Sequence, residues 1–233
     1  MKRLLSILTI LVCVTAAGKQ PKITSRPFGE LSTGESTTLY TITNRSGASM
    51  QLLDYGARIV SIMMPDRKGH NGDVVVGFGD IENFEKKDRF IGPVIGRFGN
   101  RINHAAFTLD GTRYELVANE ELGGEPVQCH GGTMGFDRFI WDATPVKEDG
   151  RTGVKFHRVS PDGEQGFPGT MDVNVTYWLT DNNTVRVEYE ATTDKPTVVN
   201  LSNHTYFNLK GNEGGYVMDH LLQVEADTCI QNN

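Results

Sequence analysis

The sequence predicts an all-β fold, a large antiparallel sandwich, on three observations. Short apolar runs alternating with polar residues recur along the chain, turn sequences part them, and helical patterning is confined to residues 81–88. The chain has 233 residues, enough for one domain. Its 26 Gly and 9 Pro fall without a period, which suits many turns and excludes collagen, a coiled coil or a helical bundle.

From residue 37 the pattern has period two. Residues 38–43, 50–53, 59–63 and 74–78 read as strands, separated by Asn44-Arg45-Ser46-Gly47, Tyr55-Gly56-Ala57 and the run from Asp66 to Gly72. Phe107-Thr108-Leu109 and Tyr114-Glu115-Leu116 flank Asp110-Gly111, a hairpin turn because both residues tolerate the positive φ that a tight turn demands. Val173, Val175, Tyr177 and Leu179 alternate with polar residues, Asp181-Asn182-Asn183 reverses the chain, and Val185, Val187 and Tyr189 alternate again. The segment from Asp219 onward, DHLLQVEADTCIQNN, reads as one more strand. So many strands favour a sandwich over a small barrel.

Lys2-Arg3, the apolar run at residues 4–14 and Thr15-Ala16-Ala17-Gly18 make residues 1–18 a secretory signal peptide, cleaved near Ala17 or Gly18. The run is too short to cross a bilayer, so no stable membrane insertion is expected after cleavage. Residues 19–233 then form one domain, exported to the periplasm of a bacterial envelope. Cleavage removes Cys13 and leaves Cys129 and Cys229, which do not make a disulfide scaffold and read as free thiols. The net charge of −6 recommends no nucleic-acid partner and suits a small neutral ligand. Five N-x-S/T sequences, at Asn44, Asn174, Asn182, Asn200 and Asn203, matter only in a eukaryotic secretory pathway.

Several familiar sites are missing: the sequence has no G-x-S-x-G, H-E-x-x-H, C-x-x-C or P-loop, and VVVGFGD lacks the third glycine of a dinucleotide fingerprint. Of the histidines, His70, His104, His157 and His220 read as surface or structural residues. His130 lies against Gly131 and Gly132, where backbone can approach a ligand closely. His204 sits in NLSNHTYFNLKG among neutral donors and aromatic rings, the combination that a sugar's hydroxyl edge and C–H faces require. The alternative there is a plain strand with Phe207 and Leu209 in the core. Arg97 and Arg101 stand on a Gly-rich bend with Asn100; Arg97 reads equally as a surface ion pair, and Arg101 is the better ligand-binding candidate.

IGRFGNRI (residues 95–102), FTLDGTRYEL (107–116), CHGGTMGFDRFIW (129–141), SPDGEQGFPG (160–169) and NLSNHTYFNLKG (200–211) together resemble, in order, the aldose 1-epimerase or galactose mutarotase family. The resemblance implies a β-supersandwich and interconversion of the α and β anomers of a hexose such as galactose or glucose. It assigns His204 as general acid and His130 as second active-site histidine. Asn100 and Arg101 become the substrate-binding pair, with Thr205 and Tyr206 lining the site. The hexose is the expected partner, the chain a monomer, and no cofactor is required; calcium at Asp162 and Glu164 is the weaker alternative. The family's general base is a glutamate in the C-terminal part, whose motif does not occur before Asn233, so the chain reads as a truncated family member with exposed strand edges and poor solubility. The competing reading is a non-catalytic carbohydrate-binding sandwich.

Overall fold

The computed structural model describes residues 20–87 and 90–228. The expected signal peptide, Cys13 and Cys229 lie outside the described residues. The first strands are β1 (Lys22–Glu30), β2 (Ser36–Thr43), β3 (Ser49–Leu53), β4 (Arg58–Pro65) and β5 (Asn71–Asp73), antiparallel in that order in one sheet. Helix α1 (Ile81–Lys86) follows, N-capped by Asp80, whose carboxylate accepts the Asn83 N–H at 2.8 Å. Then come β6 (Val94–Ile95), β7 (Arg101–Asn103), β8 (Ala106–Leu109), β9 (Thr112–Glu115), β10 (Glu120–Leu122) and β11 (Glu125–Cys129). β12 (Asp142–Glu148), β13 (Arg151–Ser160), β14 (Met171–Leu179) and β15 (Val185–Thr193) make a four-stranded sheet, and β16 (Ser202–Asn203) pairs with β6.

Alternation explains the layering. On the first sheet Ile42, Met50, Leu52, Ile59 and Ile62 face Val154, Phe156, Val173, Val175 and Tyr177 of the second, a sandwich core of fully buried side chains. The opposite face of the first sheet carries Leu39, Leu53 and Val60 against Ile81 and Phe84 of α1. Because β4 is covered on both faces, five consecutive residues from Arg58 to Ile62 are buried.

The expected hairpins form. β8 and β9 turn at Asp110 and Gly111, with φ of 50° and 79°, and β14 and β15 turn through Asn183 at φ 63°. Two expected strands do not. In residues 74–78 only Val75 makes a bridge, to Phe207, because Asp73 turns its carboxylate onto the Ile62 and Val75 amides and Val76 donates instead to the Tyr206 carbonyl. From Asp219 to residue 228 there is no strand: Asp219 pairs with Lys210 at 2.7 Å, His220 accepts the Leu209 N–H at 2.9 Å, and Leu221 and Leu222 stay exposed. The sequence pattern also missed β1, β5, β6 and β10 to β13.

Candidate functional site

β16 ends at Asn203, so His204 is the first residue past a pinned strand. Its N–H donates to the Pro93 carbonyl at 2.9 Å, and its carbonyl accepts the Gly92 N–H at 3.0 Å. Asn203 locks the same corner from below, donating to the Gly92 carbonyl (3.0 Å) and the Tyr177 hydroxyl (3.1 Å) while its own oxygen accepts the Thr205 amide (3.0 Å). The buried Tyr177 hydroxyl in turn donates to the Ala57 carbonyl at 2.7 Å. Every polar atom of this buried relay is matched, which is the condition for its stability.

His130 follows β11 with φ 54°, and Gly131 continues at φ 88°. A Cβ on Gly131 would lie 1.9 Å from the Gly96 carbonyl oxygen, so only glycine fits. The His130 N–H donates to the Asn100 carbonyl, and the Asn100 N–H donates back to His130 Nδ1, both at 3.0 Å. That second bond makes Nδ1 an acceptor, so the neutral ring carries its proton on Nε2. Burial, reinforced by His204 and Arg101 and opposed by Glu120, pushes the imidazole pKa down to about 4. His130 is therefore a neutral N–H donor at ordinary pH.

The two imidazoles meet edge to face, their centroids 5.1 Å apart. Phe90 lies 4.7 Å from His130 and 6.0 Å from His204, and Tyr206 lies 5.0 Å from His204. They line an open cleft of about 940 Å³ with Lys86, Lys87, Arg101, Asn119, Glu120 and Cys129. A smaller hollow of about 330 Å³ is bordered by Asn100, Asn200 and both histidines. Neutral donors, a guanidinium and exposed ring faces can bind a hydroxyl-rich ligand while two imidazoles move or hold protons.

Of the expected residues, His130, His204, Arg101 and Tyr206 line the cleft and Asn100 borders the hollow, whereas Thr205 turns its hydroxyl to Asn203 and lines neither. Arg97 is neither a surface ion pair nor a ligand contact. It is buried, with Nε donating to Ser160 Oγ at 2.9 Å and the two terminal nitrogens donating to the Ser160, Pro161 and Pro168 carbonyls. Phe207 and Leu209 are exposed and not in the core. The suggested calcium carboxylates are already matched to cations: Asp162 pairs with Lys195, and Glu164 with Arg158 at 2.7 Å. Cys129 is a buried free thiol, its pKa pushed up to about 11 by burial and Glu120. Sequence reasoning missed Phe90, Asn119 and Glu120. Asn119, immediately before β10, exchanges hydrogen bonds with the Cys129 backbone at 2.7 and 3.0 Å.

The chain is similar to several known proteins. Galactose mutarotase of Homo sapiens is 39% identical over 208 residues, which cover 89% of this chain and 58% of that protein. Aldose 1-epimerase of Escherichia coli (strain K12) is 38% identical over 197 residues, 84% of this chain and 55% of its own length. Among solved structures, the galactose 1-epimerase from Lactobacillus acidophilus NCFM superposes with a TM-score of 0.72 at 26% identity, covering 82% of this chain and 54% of that one. The aldose epimerase homologue from C. elegans gives 0.66 at 34% identity, covering 74% and 51%. The chain thus spans between half and three-fifths of the length of these relatives. The family model described as Aldose 1-epimerase matches residues 38–233, and on that match and these relatives the chain belongs to the aldose 1-epimerase family.

Proposed function

We propose that the protein interconverts the α and β anomers of a hexose such as galactose or glucose. The observation that carries this reading is the pair of imidazoles 5.1 Å apart in a polar, ring-lined cleft, in a chain of this family. In this reading His204, as imidazolium, donates a proton to the ring oxygen while a base removes the anomeric hydroxyl proton. The C1–O5 bond breaks to give the aldehyde, C1–C2 rotates, and closure yields the other anomer. His130 offers its Nε2–H to a sugar oxygen, Arg101 and Asn100 hold hydroxyls, and Tyr206 and Phe90 present faces to the C–H surface. Glu120 is not assigned as the base, because both of its carboxylate oxygens already accept from the Arg101 guanidinium at 2.7 Å. Among the described residues lining the cleft no other carboxylate is present, and the acceptor of the hydroxyl proton is proposed to be the glutamate that the family carries in its C-terminal part.

The charged and then apolar N-terminus supports export, and the protein is taken to work as a periplasmic monomer on free sugar. Polarimetry of freshly dissolved α-D-galactose tests the reading. Mutarotation faster than buffer is expected, falling about 100- to 10,000-fold in His204→Ala. No acceleration by the unaltered protein sinks the proposal, and sugar binding without turnover would mark a binding module instead.

A further inference from the structure

β10, β11 and β7 form a small sheet of their own at the cleft. Its register sets Arg101 opposite Cys129 and Glu120 opposite Val127, so Arg101 and Glu120 flank β11 on one face and reach over it to each other. Arg101 Nε donates to Glu120 Oε2 and Nη2 to Oε1, both at 2.7 Å, a fork-to-fork pair. Arg101 Nη1 donates to Asn100 Oδ1 at 3.3 Å, on the residue whose backbone fixes the His130 ring. With side-chain exposures of 32% and 39% the pair contributes little to stability, which leaves orientation as its effect.

We propose that Glu120 is a positioning residue: by gripping one edge of the Arg101 guanidinium it presents the other edge, already arranged, to the sugar. The inference rests on the epimerase reading above. A free arginine loses rotamer entropy each time it binds, and an arginine already held does not, so Glu120 acts on affinity and leaves the proton transfers alone.

The test is a cycle of Glu120→Ala, Arg101→Ala and the double variant in the full chain, followed by polarimetry at varied α-D-galactose and by thermal melting. Glu120→Ala is expected to raise KM about tenfold with kcat within about twofold, Glu120→Gln to raise it less, and Glu120→Ala to change nothing further once Arg101 is gone. Additive losses in the double variant, an unchanged KM, or a fall in kcat that tracks a lowered melting temperature would overturn it. If the unaltered protein binds galactose without turning it over, the epimerase reading fails alone, and the same cycle is read in Kd by calorimetry. Absence of both binding and turnover overturns the two together.

Discussion

Protonation of His130 is resisted on one side by the Asn100 amide and on all sides by burial, and its consequence is a pH dependence of known sign. With the folded pKa near 4 against 6.5 unfolded, the unfolded chain binds the extra proton between those values, so this residue lowers stability as pH falls from 6.5 toward 4. Asp54 works the other way. Burial raises its carboxyl to about 6 from 3.8, so the folded chain holds the extra proton and gains stability as pH falls through that interval. Urea unfolding from pH 4 to 7 should therefore show a shallow profile that tilts toward acid stability in His130→Asn. A His130 ring that titrates near 6.5 by NMR would contradict the assignment. Arg97 shows where residue-scale reading from sequence stops. Nothing in IGRFGNRI says that three carbonyls of the loop around Pro161 and Pro168 converge on one guanidinium, because that convergence belongs to the fold. His130 and His204 were legible because glycines and neutral donors beside an imidazole have no routine structural explanation.

Loops and short strands place those residues. Gly131→Ala forces a methyl against the Gly96 carbonyl at a left-handed φ, and a loss of about 3 kcal/mol or more in unfolding free energy is expected, with sugar binding weakened even where the protein stays folded. Equal stability to the parent in a denaturant titration would show that the loop relaxes freely. The β8–β9 and β14–β15 hairpins were legible from Asp110-Gly111 and Asp181-Asn182-Asn183, since turn chemistry is local. β1 and β10 were not: β10 is exposed at all three residues and β1 at six of nine, so neither writes a period-two apolar signal. Missing β10 is also why Glu120 escaped notice. The error at residues 74–78 runs the other way, an apolar run in which the Val74 amide reaches Ile62 of β4 but the Val75 and Val76 amides are taken by Asp73 and Tyr206.

At the scale of the molecule the sandwich followed from alternation, but the link between sandwich and site did not. Tyr177 stands in the core on β14, donates to the Ala57 carbonyl beside the first sheet and accepts from Asn203 under His204. Tyr177→Phe keeps the ring and removes that junction. It is expected to cost about 1–3 kcal/mol and to lower mutarotation through a loosened His204, measured as melting temperature and kcat together. Normal kcat in a destabilised variant would separate the two. An alternating valine or tyrosine looks the same in sequence whether it only fills the core or also carries such a bond. The bonds from Asn203 to Gly92 and from Tyr177 to Ala57 close 111 and 120 residues of chain. Closures that long are made only after local hairpins exist, so in a refolding experiment strand signal in the far-ultraviolet should return first. Contact between the His130 and His204 rings should return after it, which makes the joined imidazoles a clock for the last stage of assembly.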